Sequence, residues 1–150
     1  MRLTPHKLIQ FLRAGAIVAG LAAVVALTGP FKYDDLHLPF PDTVAHGMLF
    51  YSLTLVATGA LPRSRSLEIA LAFVALGGIS EFVQAAIGRE MSFHDFFGDL
   101  AGVAAAYGPV AIGRLRELAR TQPHASFAEI RSQDRRQRRA APAAAPETAA

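Results

Sequence analysis

Cysteine is absent from this chain of 150 residues, and so is tryptophan. Without cysteine the protein has neither a disulfide framework nor thiolate chemistry. Charged residues are also scarce, at 18% of the chain, and they collect between long apolar runs. Because a soluble domain of this length would place charged residues along every segment, this distribution indicates a small polytopic membrane protein.

Four runs are long and apolar enough to be transmembrane helices, since a span needs about 20 residues. They cover residues 14–31, 43–61, 67–87 and 93–113. The sequence therefore predicts an all-α fold, a bundle of four transmembrane helices. It also predicts a transmembrane domain over residues 1–113 and a basic, partly disordered tail over residues 114–150. For the first run, a cleaved signal peptide stays open as an alternative, because a basic start precedes an apolar stretch and small residues.

The predicted helices are separated by residues that favour turns. Three prolines interrupt residues 29–41, so we expect a loop there. Asp42 is a candidate N-cap for the second helix, and Ser92 is one for the fourth. Pro62 ends the second helix, and Gly88 suits the C-terminal end of the third.

The polar tail has its own pattern. Residues 114–120 are expected to prolong the fourth helix, and residues 121–123 to break it. Residues 126–139 can form a short basic helix, and residues 140–150 are an alanine- and proline-rich stretch with the composition of a disordered segment.

The distribution of basic residues predicts the orientation. The N-terminal segment, the turn with Arg63 and Arg65, and the tail are all basic, so the positive-inside rule places both termini in the cytoplasm. The net charge of +3 belongs mostly to the tail. It bears on orientation rather than on nucleic acid, since no nucleic-acid motif is present, and the expected partner is the lipid bilayer.

Ionisable residues inside the apolar runs are the candidates for function, because they are costly to bury in lipid. With a rise of 1.5 Å per residue, His46 lies roughly 6 Å from the start of its helix. Glu81 and Asp99 each lie roughly 9 Å from the nearest end of theirs. All three are counted from the predicted outer side, so the sequence predicts that they share one layer of the bundle.

Seven residues form the predicted polar cluster. The candidate ligand-binding residues are Asp42, His46, Glu81, Gln84, Arg89, Asp95 and Asp99. One interpretation is a structural network that ties the helices together. Another is a pocket for a polar headgroup or a lipid-linked molecule, in which Arg89 meets a phosphate or carboxylate. A third is an enzyme in which His46 and Glu81 act as general base and acid.

Metal binding was weighed at the same residues. A histidine and several carboxylates can hold a divalent ion, but no compact ligand motif such as H-E-x-x-H is present. We therefore assign neither a metal nor a cofactor from the sequence.

The same residues carry a resemblance to the VanZ-like family of small bacterial membrane proteins. The motifs are Asp42 and His46 in PDTVAHGMLFYS, then Glu81 and Gln84 in SEFVQ, and then Arg89, Ser92, Asp95 and Gly102. The resemblance spans residues 42–113. Two positions depart from the family pattern: Thr43 stands where a lysine is usual, and Asp99 stands where an asparagine is common.

The resemblance implies a multi-pass protein of the bacterial cytoplasmic membrane and cell envelope. The family's namesake is associated with low-level resistance to teicoplanin, which gives a possible link to glycopeptide resistance. From the residues and the resemblance together we expect a membrane protein whose outer-side cluster binds a polar or lipid-linked envelope component, such as a lipid-linked precursor. The alternatives are a membrane-embedded enzyme acting on a lipid-linked substrate and a structural or partner-binding subunit.

Overall fold

The computed structural model describes residues 4–29, 39–88 and 91–140, with side chains described as far as Asp134. Within these ranges the chain forms five α-helices. They are α1 (Pro5–Thr28), α2 (Asp42–Ala60), α3 (Ser66–Ala86), α4 (Phe93–Thr121) and α5 (Phe127–Ala140). The predicted all-α fold is confirmed. The chain divides into two compact units, Met1–Ile112 and Gly113–Ala150.

Four of these helices, α1 to α4, are long and apolar enough to cross a membrane. Many of their large apolar side chains point outward, among them Phe11, Ile17 and Phe82, with exposed fractions of 82%, 65% and 71%. In water such a surface would be an aggregation hazard, but in a bilayer it faces lipid tails of equal polarity. The chain is therefore a multi-pass membrane protein built as a four-helix bundle.

The first helix begins earlier than the sequence predicts. It starts at Pro5 rather than at residue 14, because Thr4 caps it by accepting a hydrogen bond from the Lys7 backbone N–H at 3.3 Å. Proline suits the first turn of a helix, where its missing N–H has no intrahelical role. Arg13 lies within this helix, and its guanidinium donates to the carbonyl oxygen of Ala60 at 3.1 Å, which joins α1 to the end of α2.

The other helix ends follow the predicted residues closely, with one correction. Asp42 is the first residue of α2 and Pro41 occupies the N-cap position, so the prediction of Asp42 as N-cap is wrong. Ser92 does cap α4, since its hydroxyl accepts from the Asp95 backbone N–H at 3.2 Å. Gly88 follows the last residues of α3 with a φ of 85°, a left-handed conformation that glycine adopts without a Cβ penalty.

Helices α2 and α4 approach each other through glycines. A Cβ added at Gly98 would meet the carbonyl oxygen of Thr43, and one added at Gly102 would meet the carbonyl oxygen of Gly47. Glycines four residues apart thus let the two backbones touch, as is common between transmembrane helices. Deeper in the bundle, Phe50, Ala70 and Val103 are buried together.

The second unit contains the end of α4 and all of α5. Ser126 and Glu129 form a reciprocal capping pair at the start of α5, with the Ser126 N–H donating to Glu129 Oε2 at 2.8 Å. The hydrogen bonds from the Ser126 hydroxyl and backbone N–H lower the pKa of Glu129 from its ordinary value. The predicted basic helix is confirmed. The low-complexity stretch predicted over residues 140–150 lies, from residue 141 on, outside the described residues.

Candidate functional site

The polar residues gather where α2 and α4 begin and α3 ends. We call this end of the bundle the cluster end. His46 comes from the second turn of α2, Glu81 from the last two turns of α3, and Asp99 from the second turn of α4. The three side chains are buried, with exposed fractions of 5%, 4% and 0%. Their burial means that each polar atom must find its partner inside the protein or carry a ligand.

His46 and Asp99 form a hydrogen-bonded pair. The His46 Nδ1 atom lies 3.0 Å from Asp99 Oδ1, and its other ring nitrogen, Nε2, lies 3.9 Å from Asp42 Oδ1. An Nδ1–H that donates to a carboxylate fixes the orientation of the ring and turns the opposite nitrogen toward Asp42. The second oxygen of Asp99, Oδ2, is buried without a hydrogen-bond partner among the described residues.

Glu81 joins α3 to the start of α4. Its Oε2 atom accepts a hydrogen bond from the backbone N–H of Ser92 at 2.8 Å. Glu81 of α3 thus satisfies a backbone N–H at the start of α4. In a capping box, a glutamate of the same helix has this role. Its other oxygen, Oε1, is buried and accepts no hydrogen bond in the described part of the chain.

Two groups of three residues share His46. The first group, which we call the inner triad, is His46, Glu81 and Asp99, with one donor atom from each within 4.8 Å of the others. The second group, the outer triad, is Asp42, His46 and Asp95, again within 4.8 Å. Asp42 and Asp95 are only half-buried. The structure thus brings His46, Glu81 and Asp99 together, as expected for residues predicted to lie in one layer of the bundle.

One described member of the predicted cluster stands apart from both triads. Gln84 is buried, but its side-chain amide donates to the backbone carbonyl of Leu27 in α1 at 3.2 Å, so it ties α3 to α1. Arg89 lies outside the described residues, and its predicted contact with a phosphate or carboxylate stays a prediction.

Two residues outside the predicted cluster also shape the site. Thr43 donates its hydroxyl hydrogen to Asp95 Oδ1 at 2.9 Å, which holds that carboxylate in the outer triad. Gly77 makes room for Asp99, because a Cβ at Gly77 would lie 3.0 Å from Asp99 Oδ2. From the sequence, Thr43 is only a polar residue beside Asp42, and Gly77 is a small residue that lets another helix approach α3 closely; neither feature identifies its partner.

An apolar groove of about 430 Å³ lies between α1, α2 and α3. Its lining includes Gly20, Leu27, Phe50, Leu53, Phe73 and Ser80. No residue of the two triads lines this groove, but two of its lining residues adjoin the predicted cluster: Ser80 precedes Glu81 in the chain, and the Leu27 carbonyl accepts from Gln84. An apolar groove with a buried polar side chain beside it suits a largely apolar ligand that has a polar end.

The chain was compared with protein-family profiles, with curated proteins and with solved structures, and none of the three comparisons finds a match. The resemblance to the VanZ-like family therefore stays a prediction, carried by the residues of the two triads and their neighbours.

Proposed function

We propose that this chain is a VanZ-like integral membrane protein of the bacterial cell envelope that binds a lipid-linked envelope component. In this proposal the apolar chain of the ligand lies in the groove between α1, α2 and α3, and its polar part reaches the residues of the cluster end. The positive-inside pattern places that end at the outer face of the cytoplasmic membrane, with both termini inside.

The observation that carries the proposal is an apolar groove whose lining residues Leu27 and Ser80 adjoin two residues of the predicted cluster, Gln84 and Glu81. The groove is lined almost wholly by apolar side chains and holds about 430 Å³, a volume within the range of small-molecule pockets. Glu81 follows Ser80, which lines the groove, and Gln84 donates to the carbonyl of Leu27, which also lines it. A ligand with a long apolar chain and a polar head matches this arrangement, whereas a wholly polar solute does not.

The outer triad supplies the polar contacts of the proposed site. Its half-buried carboxylates, Asp42 and Asp95, can accept hydrogen bonds from hydroxyl or amino groups of a headgroup. Arg89, as the sequence predicts, would meet a phosphate. Because sugars, amines and phosphates are all present in lipid-linked envelope molecules, this set of groups suits that class of ligand.

A matched pair of glycines in α1 tests the proposal. Gly20 lines the groove, Gly15 does not, and a Cβ at either position would meet no atom within 4 Å. Gly20→Leu therefore adds an apolar side chain at the groove from a position where the Cβ is free of contacts, and Gly15→Leu adds the same side chain elsewhere on the helix. We expect Gly20→Leu to weaken binding of a long-chain polyprenyl phosphate in nanodiscs at least tenfold, measured by native mass spectrometry, while Gly15→Leu binds like wild type.

Equal binding by wild type and Gly20→Leu would show that the groove does not hold the lipid chain. Loss of binding in both variants would point to a general effect on α1 and would also count against the proposal. Phosphatidylglycerol serves as the control lipid, since it shares the bilayer location and a phosphate but lacks the long polyprenyl chain.

A second candidate function is an enzyme acting on the same class of lipid-linked substrate. The observation that favours it is the His46–Asp99 pair, in which a buried carboxylate 3.0 Å away orients the imidazole. This is the geometry of a general base held by a third group. Mass spectrometry of the bound lipid separates the two functions, because an enzyme changes the lipid chemically and a binding protein returns it unchanged.

A further inference from the structure

We propose that His46, Glu81 and Asp99 form a binding site for one divalent first-row transition-metal ion. The sequence alone does not assign a metal here, because the three residues come from three different helices and form no contiguous motif. In the folded bundle, one donor atom from each lies within 4.8 Å of the others. The site is distinct from the apolar groove and does not depend on the proposed lipid binding.

The spacing of the donors is close to that of ligands on a single ion. Bond lengths near 2.1 Å and tetrahedral angles separate two ligand atoms by about 3.4 Å. His46 Nδ1 and Asp99 Oδ1 are 3.0 Å apart, and the full triad lies within 4.8 Å. To bind through Nδ1, His46 must carry its ring hydrogen on Nε2, the nitrogen that faces Asp42. In that tautomer, side-chain rotations of Glu81 and His46 would bring all three donors into one coordination sphere.

The two carboxylates of the triad also have unused acceptor atoms. Oε1 of Glu81 and Oδ2 of Asp99 are buried and have no hydrogen-bond partner among the residues that the structure describes. A buried carboxylate oxygen without a hydrogen-bond partner costs free energy of folding. Protonation does not remove this cost, because the new O–H needs an acceptor of its own. A cation coordinated by Glu81 Oε1 and by both oxygens of Asp99 would satisfy the two unpaired atoms.

Charge balance favours a divalent ion. Two ionised carboxylates and one neutral imidazole carry a charge of −2, which an ion of charge +2 neutralises. This matters inside a transmembrane bundle, where an uncompensated charge is costly. Mixed imidazole and carboxylate donors suit zinc, manganese(II) and iron(II), whereas magnesium and calcium prefer oxygen ligands alone.

Neighbouring groups surround the three donors. The Ser92 N–H donates to Glu81 Oε2 at 2.8 Å, and a hydrogen bond of this kind beyond the ligands orients a metal site. Asp42 lies 3.9 Å from the second ring nitrogen of His46. The outer triad shares His46 with the inner triad, so the half-buried Asp42 and Asp95 place two further carboxylates beside the site.

The test uses the full chain in detergent, purified with a tag that contains no histidine, stripped with a chelator and free of added lipid. Zinc chloride or manganese chloride is the probe, with binding measured by calorimetry and metal content by mass spectrometry. We expect wild type to bind about one equivalent, and Glu81→Gln and Asp99→Asn each to weaken binding at least tenfold. Glu68→Gln and His94→Gln, which change exposed residues of α3 and α4, should bind like wild type.

Absence of saturable binding of either ion by wild type would overturn the proposal, and so would unchanged binding in Glu81→Gln and Asp99→Asn. If Glu81 and Asp99 instead share a proton, we expect the first of these results, in which wild type binds neither ion saturably. If Asp99→Asn does not fold, X-ray absorption of the zinc-loaded wild type decides: one imidazole with oxygen ligands supports the site, and a sphere without imidazole refutes it. Gly20→Leu should bind metal normally, so failure of the lipid proposal and failure of this one are distinguishable.

Discussion

Each of the two buried carboxylates at the cluster end, Glu81 and Asp99, keeps one oxygen without a donor in the described part of the chain. Leaving a buried polar group unpaired costs about 1–3 kcal/mol, and more when the group is charged. A network whose only task was to hold helices together would be expected to satisfy these atoms. At the scale of single residues, the cluster is therefore better explained by a ligand than by structure alone.

The glycines between α2 and α4 give a prediction at the same scale. Gly102→Ala places a Cβ against the Gly47 carbonyl, so the helices must separate. We expect this to cost about 1–3 kcal/mol, typical of overpacking. Gly108→Ala is the control on the same helix, because a Cβ there meets no atom within 4 Å, and alanine should stabilise that position by about 0.5–1 kcal/mol.

Chemical unfolding in mixed micelles, monitored by circular dichroism, measures both glycine variants. A stability of Gly102→Ala equal to that of Gly108→Ala would contradict the backbone contact between α2 and α4.

At the scale of the helices, most ends could be predicted from sequence because local chemistry decides them. Ser92 caps α4 and Gly88 adopts a positive φ, as their residue types favour. The start of α1 could not be predicted from an uncharged run, since Arg13 lies inside the helix and donates to the Ala60 carbonyl of another helix. Asp42 was misassigned because aspartate is favourable both at the N-cap and in the first turn of a helix.

The layer shared by His46, Glu81 and Asp99 could also be predicted, because the topology and the rise per residue fix depth. The groove could not be predicted from the sequence. These helices are apolar on most sides, so their sequences do not show which face turns toward a neighbour. The contact of Gln84 with the Leu27 carbonyl instead of with the cluster depends on that rotation as well.

At the scale of the whole molecule, the orientation in the membrane is a prediction from the basic residues. The absence of cysteine allows single-cysteine labelling without background. We expect Met91→Cys to react with a membrane-impermeant maleimide in intact spheroplasts, because the turn between α3 and α4 is predicted to be outside. Ser64→Cys, in the turn with Arg63 and Arg65, should react only after lysis, and the reverse labelling pattern would refute the orientation.

The most direct test of the central claim, that the cluster is a ligand site rather than a structural tie, is the melting temperature of ligand-free and metal-free Glu81→Gln. Glutamine keeps an oxygen for the Ser92 N–H, which Glu81 accepts at 2.8 Å, and removes a buried negative charge. We predict a melting temperature equal to or higher than that of wild type. Each kcal/mol gained in the free energy of unfolding should raise it by about 2–4 °C. Glu68→Gln, an exposed change on the same helix, removes a surface ion pair with Arg65 and should lower the melting temperature by no more than about 1–2 °C. A fall of several degrees in Glu81→Gln alone would show that the carboxylate stabilises the bundle, and would contradict the account.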